Sequence, residues 1–322
     1  MPFSRFLSTY YDIQVEEKIW LDNNEGYRQG SSSYFIIPMN KKEIFYMEQA
    51  AISYFFVEKG YQHMAKPIPN REEKWFTPYY DNYYMVLKVE GFQRSDVKSE
   101  GKLLANFHHE GTEYEYQPKE ISSYGQWKKL WIDKVTIFEA KKEAEAKTVP
   151  SDYYPLLMDT LPYFIGISEN AIQYVRESET ETRFSTSDQG TICFHRYRDQ
   201  LLKPMLWPED LVYDHPARDI AEYIRPLLYK PDQFEHVIDF LDDYQSEQIL
   251  SIFGFRLIFS RLLFPTSFYD FVYSNFNQED KDERELNQFI EKQVLYEKGL
   301  HLFYDQFGLN EESLNLPMIH WL

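Results

Sequence analysis

The sequence contains a single cysteine, Cys193, among its 322 residues. Disulfide networks and clustered thiolate zinc sites both need several cysteines, so neither is expected. Long apolar runs are also missing, because the most hydrophobic segment, 249–276, is interrupted by Arg256, Arg261 and Asp270. A membrane-spanning helix needs about 20 almost uninterrupted apolar residues. We therefore expect a pair of buried helices at 249–276 and no membrane span.

Positive charge is scarce, since 34 Lys and Arg stand against 52 Asp and Glu, giving a formal net charge of -18. A surface with this balance repels nucleic acid and anionic membranes, so neither is an expected partner. The first residues, MPFSRFLSTYYDIQ, lack the apolar core and small-residue cleavage site of a signal peptide. The sequence therefore predicts synthesis in the cytoplasm, and the single cysteine fits a reducing compartment.

Apolar and aromatic residues are plentiful, at 43% and 18% of the chain, and 27 residues are tyrosine. This composition predicts a large globular core. Tyrosine buries its ring while its hydroxyl stays in water, so the many tyrosines favour amphipathic packing, with exposed ones available as an adhesive surface.

The hydrophobic pattern predicts two lobes, at 1–91 and 92–322. The first lobe shows strand patterns at 15–22 and 26–39, a helical pattern at 41–59, and strands in WFTPYY and at 82–92. The second lobe reads as mainly helical, with helix pieces broken at Pro162 and short strands in TICFHR (191–196) and DLVYD (210–214). This distribution predicts an α+β protein with a mainly β N-terminal lobe and a mainly α C-terminal lobe.

One stretch, ICFHRYRDQLLKP at 192–204, has the shape of a phosphotransferase catalytic loop. Such a loop places His-Arg-Asp or His-Gly-Asp after a hydrophobic strand, with an Asn five residues after the Asp. His195 matches the histidine, but Tyr197 stands at the Asp position and Leu202 at the Asn position. A tyrosine with a pKa near 10 does not act as a carboxylate base at neutral pH. The loop is therefore degenerate.

Other parts of a phosphotransferase site are also missing or isolated. The third strand, YFIIPM at 34–39, offers Ile37, Pro38 or Met39 where a phosphate-binding lysine belongs. Glu48 on the following helix is placed to partner that lysine, and it is the only cofactor-binding candidate. An exposed helical glutamate explains it equally well. The glycines of GYRQG (26–30) hint at a nucleotide loop but also fit ordinary turn geometry.

Acidic residues after the loop leave two arrangements open. Asp199 could serve as a base if the loop were shifted by two residues, although Pro204 then occupies the position of the magnesium-binding Asn. Asp210 and Asp214 are the metal candidates, and with His215 they could hold a cation through hard oxygen ligands. Asp219 is expected to cap a helix. Cys193 and His195 lie on one side of a strand, but a buried, inert cysteine is the simpler interpretation.

The motifs ENAIQY (169–174), TICFHR (191–196), VYDHPARDIAEY (212–223) and RLLFP (261–265) resemble the YutH and CotS-like families of spore coat proteins. Those families in turn resemble aminoglycoside and choline phosphotransferases. The resemblance implies a two-lobed, protein-kinase-like fold. It also implies a role in the coat of a bacterial endospore, with synthesis in the mother cell and other coat proteins as partners.

Three functions follow from these observations, and in one of them the cleft between the lobes binds a nucleotide or a sugar without turnover. In the first, the chain is a pseudokinase without cofactor that acts in coat assembly through protein–protein interaction. In the second, it is an active small-molecule phosphotransferase that binds ATP and magnesium in a rearranged site around Asp199 or Asp214. The combined loss of the lysine, the base and the asparagine favours the first, because positioning and charge neutralisation supply most of the catalysis of phosphoryl transfer.

Overall fold

A computed structural model describes residues 2–92, 99–148, 152–179, 185–274 and 283–307. The chain forms two compact units, each assembled from several segments. Unit 1 comprises Met1–Lys98, Phe107–Ser122 and Ile192–Tyr213, and unit 2 comprises Ser99–Asn106, Ser123–Thr191 and Asp214–Leu322. A division into lobes at residue 91 remains a prediction, because the compact units group segments that are distant in sequence.

Unit 1 is built around an antiparallel sheet. Its elements are α1 (Pro2–Tyr10), β1 (Glu17–Leu21), β2 (Asn24–Gln29), β3 (Ser32–Pro38), α2 (Glu43–Glu58), β4 (Lys66–Ile68), β5 (Thr77–Tyr79) and β6 (Asn82–Val89). The strand order is β1-β2-β3-β6-β4, and β5 also pairs with β6. The register places Phe35 opposite Leu87 and Ile37 opposite Met85.

Both faces of β3 are covered, which explains its continuous apolar sequence. Successive side chains of a strand point to opposite faces. Tyr34 accordingly packs with Phe6 and Leu7 of α1 on one face. Phe35 and Ile37 belong to a second buried cluster on the other face. A strand buried on both sides carries no alternation of polar and apolar residues.

Unit 2 is mainly helical. Its helices are α4 (Trp127–Thr148), α5 (Tyr153–Glu179), α6 (Ala217–Leu227), α7 (Glu235–Glu247), α8 (Ile252–Leu263), α9 (Thr266–Ser274) and α10 (Glu283–Gln306). Helix α5 packs against α4, α8 and α10, and α8 also packs against α6. Three further elements have residues in both units: helix α3 (Glu100–Thr112) and strands β7 (Thr191–Phe194) and β8 (Leu211–Asp214), which pair with each other.

The α+β class and most elements agree with the sequence prediction, including the helical pair at 249–276, but three details were wrong. Helix α1 and strand β4 were not predicted, and Pro162 does not break α5. Pro162 is exposed, while its neighbours Leu161 and Phe164 are buried. Their packing holds the helix in the core and outweighs the hydrogen bond that proline removes. Among the described residues, no helix is long and apolar enough to span a bilayer.

Candidate functional site

The loop after β7 carries the predicted catalytic positions, and it is built around an aromatic residue. His195 is exposed, and its backbone N–H donates to the carbonyl oxygen of Asp210 at 2.6 Å. Tyr197 is only 2% exposed, and its ring centroid lies 5.4 Å from that of Phe194. The position where a phosphotransferase holds its carboxylate base is therefore a buried aromatic side chain.

The remainder of this loop is shaped by Gln200. Its Nε2 donates to the carbonyl oxygen of Arg196 at 2.6 Å, and its Oε1 accepts from the backbone N–H of Arg198. Asp199 has φ 57°, a left-handed conformation that aspartate adopts more readily than most residues. Its side chain is exposed, whereas Leu202 is half-buried. Asp199 is thus the one carboxylate of the loop 195–202, and it faces solvent.

Glu48 of α2 binds backbone donors of the segment 119–121. Its Oε1 accepts from the N–H of Lys119 at 2.8 Å, and its Oε2 accepts from the N–H groups of Glu120 at 2.9 Å and Ile121 at 3.1 Å. The alternative interpretation of Glu48 as a freely exposed helical residue is wrong, since it is half-buried and fixes a loop. Charged acceptors make the stronger hydrogen bonds in proteins.

Replacing Glu48 with glutamine should destabilise unit 1, because the amide keeps one acceptor oxygen and turns a nitrogen toward backbone donors. We expect a loss of about 1.5–3 kcal/mol in the free energy of unfolding, the usual range for hydrogen bonds to charged groups. Urea denaturation measures this loss, and hydrogen exchange should be faster at the amides of 119–121. The exposed Glu58 on the same helix provides the control, and Glu58→Gln should change stability by less than about 0.5 kcal/mol. Equal stability of the two variants would contradict the structural role of Glu48.

The predicted lysine position lies in an apolar cluster. Ile37 is 8% exposed and shares this cluster with Phe35, Met205 and Trp207; we call these four residues the Trp207 cluster. The rings of Phe35 and Trp207 meet edge to face, with centroids 4.9 Å apart. The indole Nε1 of Trp207 donates to Oδ2 of Asp22 at 2.8 Å. Aromatic side chains thus fill this side of β3.

The hairpin of β1 and β2 does not form a glycine-rich phosphate loop. Its two-residue turn consists of Asp22 and Asn23, both with positive φ, as a tight hairpin turn requires. Asp22 places negative charge at the tip, which repels phosphate. Gly26 lies within β2, where an added Cβ would overlap the ring of Phe35, and Gly30 has φ +59° in the next turn. Packing and turn geometry therefore account for both glycines of the GYRQG motif.

Asp210, the first predicted metal ligand, lies in unit 1 directly before β8. Burial raises the pKa of its carboxyl, the positive charge of Lys203 lowers it, and the negative charge of Asp22 raises it further. The net effect is a pKa above the ordinary value. Asp22 is thus a like-charged neighbour of Asp210, and Lys203 is its nearby counter-charge.

Asp214, the second predicted metal ligand, is fully buried in unit 2 and surrounded by protein donors. Ser123 Oγ donates to its Oδ2 at 2.6 Å, and the indole Nε1 of Trp127 donates at 2.9 Å. The backbone N–H of His215 donates to Oδ1 at 2.8 Å, and Arg218 Nη1 lies 2.6 Å from Oδ2. Burial raises the pKa of this carboxyl, but the charges of Arg218 and Arg261 and these hydrogen bonds lower it below the ordinary value.

Arg261 extends this charged network. Its guanidinium lies 4.5 Å from the ring centroid of Trp127 and 3.1 Å from Oε1 of Glu222. Burial and the neighbouring Arg218 lower its pKa to about 10, so it stays charged at neutral pH. Arg218, Arg225 and Arg261 thus balance the charges of Asp214 and Glu222 inside unit 2.

A second buried group, which sequence reasoning missed, lies beside this network. Ser251 Oγ and Ser185 N–H both donate to the carboxylate of Asp188, and His215 Nε2 lies 3.4 Å from its Oδ1. Burial raises the pKa of Asp188, and the bonds from His215, Ser251 and Ser185 bring it below its ordinary value. His215 therefore contacts Asp188 and does not form the predicted cation site with Asp214. No local pattern joins these residues, which come from separate segments.

Two smaller predictions have clear outcomes. Cys193 is buried, as expected, and its Sγ lies 3.9 Å from Nε2 of the buried His108, while His195 is exposed. Asp219 does not cap α6, because Pro216 is the N-terminal cap and Asp219 is the third helical residue.

Magnesium and ATP do not fit the residues at these positions. A metal-binding aspartate needs a free lone pair, but Oδ1 of Asp214 accepts from Trp127 and the backbone N–H of His215, and Oδ2 accepts from Ser123 and Arg218, so all four lone-pair positions have protein partners. The base and asparagine positions hold Tyr197 and Leu202, and the three candidate lysine positions hold Ile37, Pro38 and Met39. We therefore derive no phosphoryl-transfer step for this arrangement.

The fold is that of the aminoglycoside phosphotransferases and related kinases. An aminoglycoside phosphotransferase from Alicyclobacillus acidocaldarius superimposes with a TM-score of 0.63 at 12% identity, covering 93% of this chain and 95% of that chain. Spectinomycin phosphotransferase APH(9)-Ia, in complex with ADP and spectinomycin, gives a TM-score of 0.56 at 12% identity over 92% of this chain and 96% of that chain. At this identity, the likeness defines the fold alone.

Sequence comparison defines the family. Residues 4–303 match the model of the family described as "Spore coat putative kinase YutH", and the chain belongs to that family. The endospore coat-associated protein YutH of Bacillus subtilis (strain 168) is 29% identical over 329 aligned positions, which cover 97% of this chain and 96% of that protein.

Proposed function

We propose that this protein is a pseudokinase of the bacterial endospore coat that acts in coat assembly by binding other coat proteins, without ATP, magnesium or phosphoryl transfer. The observation that carries this proposal is the environment of Asp214. This carboxylate, one of the two candidate metal ligands, accepts bonds from Ser123, Trp127 and the backbone of His215, and it pairs with Arg218. These protein donors take the place that a cation would have beside the carboxylate, and the bonds they form stabilise unit 2.

Unit 1 supports the same proposal independently. The Trp207 cluster contains Ile37, one of the three candidate lysine positions, and Trp207 is hydrogen-bonded to Asp22 in the β1–β2 turn. Glu48, the expected partner of that lysine, holds backbone amides of 119–121. The base and asparagine are thus replaced, no lysine stands at the candidate positions, and Glu48 is engaged by backbone amides.

The role in the coat rests on family membership and on the named Bacillus subtilis relative. Synthesis in the mother cell followed by deposition on the spore is the order that such a role requires. A scaffold of this kind needs a stable two-unit fold with a surface for partners, and it does not need turnover. The net charge of -18 favours partners with basic surfaces.

Calorimetric titration with millimolar ATP, with and without magnesium, tests the absence of a cofactor. We expect no binding heat in either case. The active alternative predicts magnesium-dependent binding that is lost in Asp210→Ala or Asp214→Ala. Asp199→Asn is the matched variant for the rearranged base, because Asp199 is exposed and its replacement should leave stability within about 0.5 kcal/mol.

The coat role is tested with a tagged chain produced in sporulating Bacillus subtilis that lacks its own YutH protein. We expect the chain and its Asp199→Asn variant to be recovered equally in the coat extract. A chain found only outside the coat fraction contradicts the proposed location. Recovery that depends on Asp199 contradicts the non-catalytic role and favours the transferase.

A further inference from the structure

A pocket lies within unit 2, beside the residues that bind Asp188 and Asp214. The hydrogen bonds of these two carboxylates do not fill it. Its volume is about 240 Å³. Its inner wall is formed by Tyr124, Trp127, Val175, His215, Phe253 and Leu257. An apolar cavity of about 150 Å³ is enough to bind benzene. The pocket in unit 2 therefore has room for a molecule with one or two aromatic rings.

The hydroxyl and indole groups of the wall are already committed to the protein. The hydroxyl of Tyr124 donates to the carbonyl oxygen of Asp188 at 2.7 Å. The indole Nε1 of Trp127 donates to Asp214 at 2.9 Å. A ligand in the pocket thus meets the faces and edges of these rings, and their polar atoms are directed to other residues.

The imidazole of His215 is committed in the same way. Its Nδ1 accepts from the backbone N–H of Ala217 at 3.0 Å, so the proton of the neutral ring is on Nε2. Nε2 faces Oδ1 of Asp188 at 3.4 Å. Because both nitrogens have protein partners, the ring contributes carbon atoms to the pocket wall.

Among the described residues that line the pocket, its mouth carries no net charge. Gly125 and Glu179 also line the pocket, and both are exposed, so they mark the side that opens to solvent. Glu179 pairs with Lys128, which neutralises its charge. Gly125 has φ +70°, and an added Cβ would meet no atom within 4 Å, so the chain leaves this side open.

We propose that this pocket is a binding site for a small, neutral aromatic molecule, held by ring contacts with Trp127 and Phe253. A charged ligand would lose its hydration without gaining a partner in the wall, since the polar groups there are engaged. Aromatic rings gain from offset and edge-to-face contacts with such walls. The proposed ligand site is independent of the coat role, and it adjoins the candidate metal position Asp214 through the wall residues Trp127 and His215.

Ligand-observed NMR of the full chain with indole tests this site, with benzoate and benzylammonium as charged aromatic controls. We expect saturable indole binding and at least tenfold weaker binding of both charged probes. Val175→Phe places a ring into the pocket from α5 and should weaken indole binding at least tenfold. Ile172→Phe lies one turn earlier on α5 at a half-buried position outside the pocket, and it should bind indole as the unchanged protein does.

A second variant and three further results complete the test of the pocket. If Val175→Phe does not fold, Leu257→Phe fills the pocket from α8 and gives the same test. Absence of indole binding to the unchanged protein overturns the proposal, and so does equal binding by the filled variant. Binding of benzoate or benzylammonium at the strength of indole overturns the assignment to neutral ligands.

Discussion

Asp214→Asn should lower the free energy of unfolding by about 3–5 kcal/mol, the usual cost of removing one partner of a buried ion pair. The amide has nearly the shape of the carboxylate, so the change removes charge with little change in packing. Arg218 and Arg261 would then remain in unit 2 without this counter-charge. The amide would also turn a donor toward Ser123 and Trp127, which are donors themselves. Chemical denaturation measures the loss.

The same variant should change the dependence of stability on pH. The pKa of Asp214 is lower in the folded chain than in the unfolded chain, where a carboxyl titrates near 3.9. Its contribution is therefore fully present above the unfolded pKa and is lost as the pH falls through the folded pKa. We expect the free energy of unfolding of the unchanged protein to fall more steeply than that of Asp214→Asn as the solution is acidified below about pH 4.

A double-mutant cycle with Arg218→Met separates the ion pair from other effects. Removing both partners should cost less than the sum of the two single changes, because neither charge is then left alone.

An increase in the free energy of unfolding of the single variant Asp214→Asn would support the opposite conclusion. Replacing an aspartate that is kept for metal binding often stabilises the protein, since functional sites hold unfavourable charge. An unchanged or more stable Asp214→Asn variant would therefore refute the structural role of this residue.

Trp207→Ala is expected to cost about 3–5 kcal/mol, as for other buried large aromatic residues. Trp207 is 4% exposed and packs edge to face against Phe35, so truncation leaves a cavity beside β3. Trp207→Phe retains a ring there and loses the hydrogen bond to Asp22, and it should cost about 1–2 kcal/mol. The difference in the free energy of unfolding between Trp207→Ala and Trp207→Phe measures the contribution of ring packing.

The same variant tests whether Trp207 merely blocks a working nucleotide site. Trp207→Ala should still give no binding heat with ATP and magnesium, because none of the candidate positions Ile37, Pro38 and Met39 becomes a lysine and Asp22 remains at the hairpin turn. Appearance of magnesium-dependent ATP binding would contradict the pseudokinase proposal. It would instead make Trp207 an inhibitory residue of an otherwise complete site.

Much of the fold could be predicted from local sequence. The apolar spacing of 41–59 predicted α2, and the runs TICFHR and DLVYD predicted β7 and β8. Prediction failed where tertiary packing overrode local preference. Buried neighbours hold α5 helical across Pro162, and α1 is a short helix that packs on the sheet through Phe6 and Leu7.

The residues of the candidate site were likewise predictable only in part. The sequence by itself determined which residue types stand at the lysine, base and asparagine positions, because a motif is a property of consecutive residues. It also determined the acidic balance and the absence of a cysteine framework. The stretch 192–204 predicted a degenerate catalytic loop, and the resemblance of the quoted motifs to the spore coat families implied a kinase-like fold.

Only the tertiary structure decided what the remaining polar residues bind. Asp214 meets Ser123 and Trp127 from about ninety positions earlier, and Trp207 meets Asp22 from 185 positions away. Hydrogen bonds and ring contacts act over a few ångströms in space, whatever the separation along the chain. Local patterns do not encode such distant partners, so the same aspartate reads as a metal ligand in sequence and is part of a buried ion pair in the folded protein.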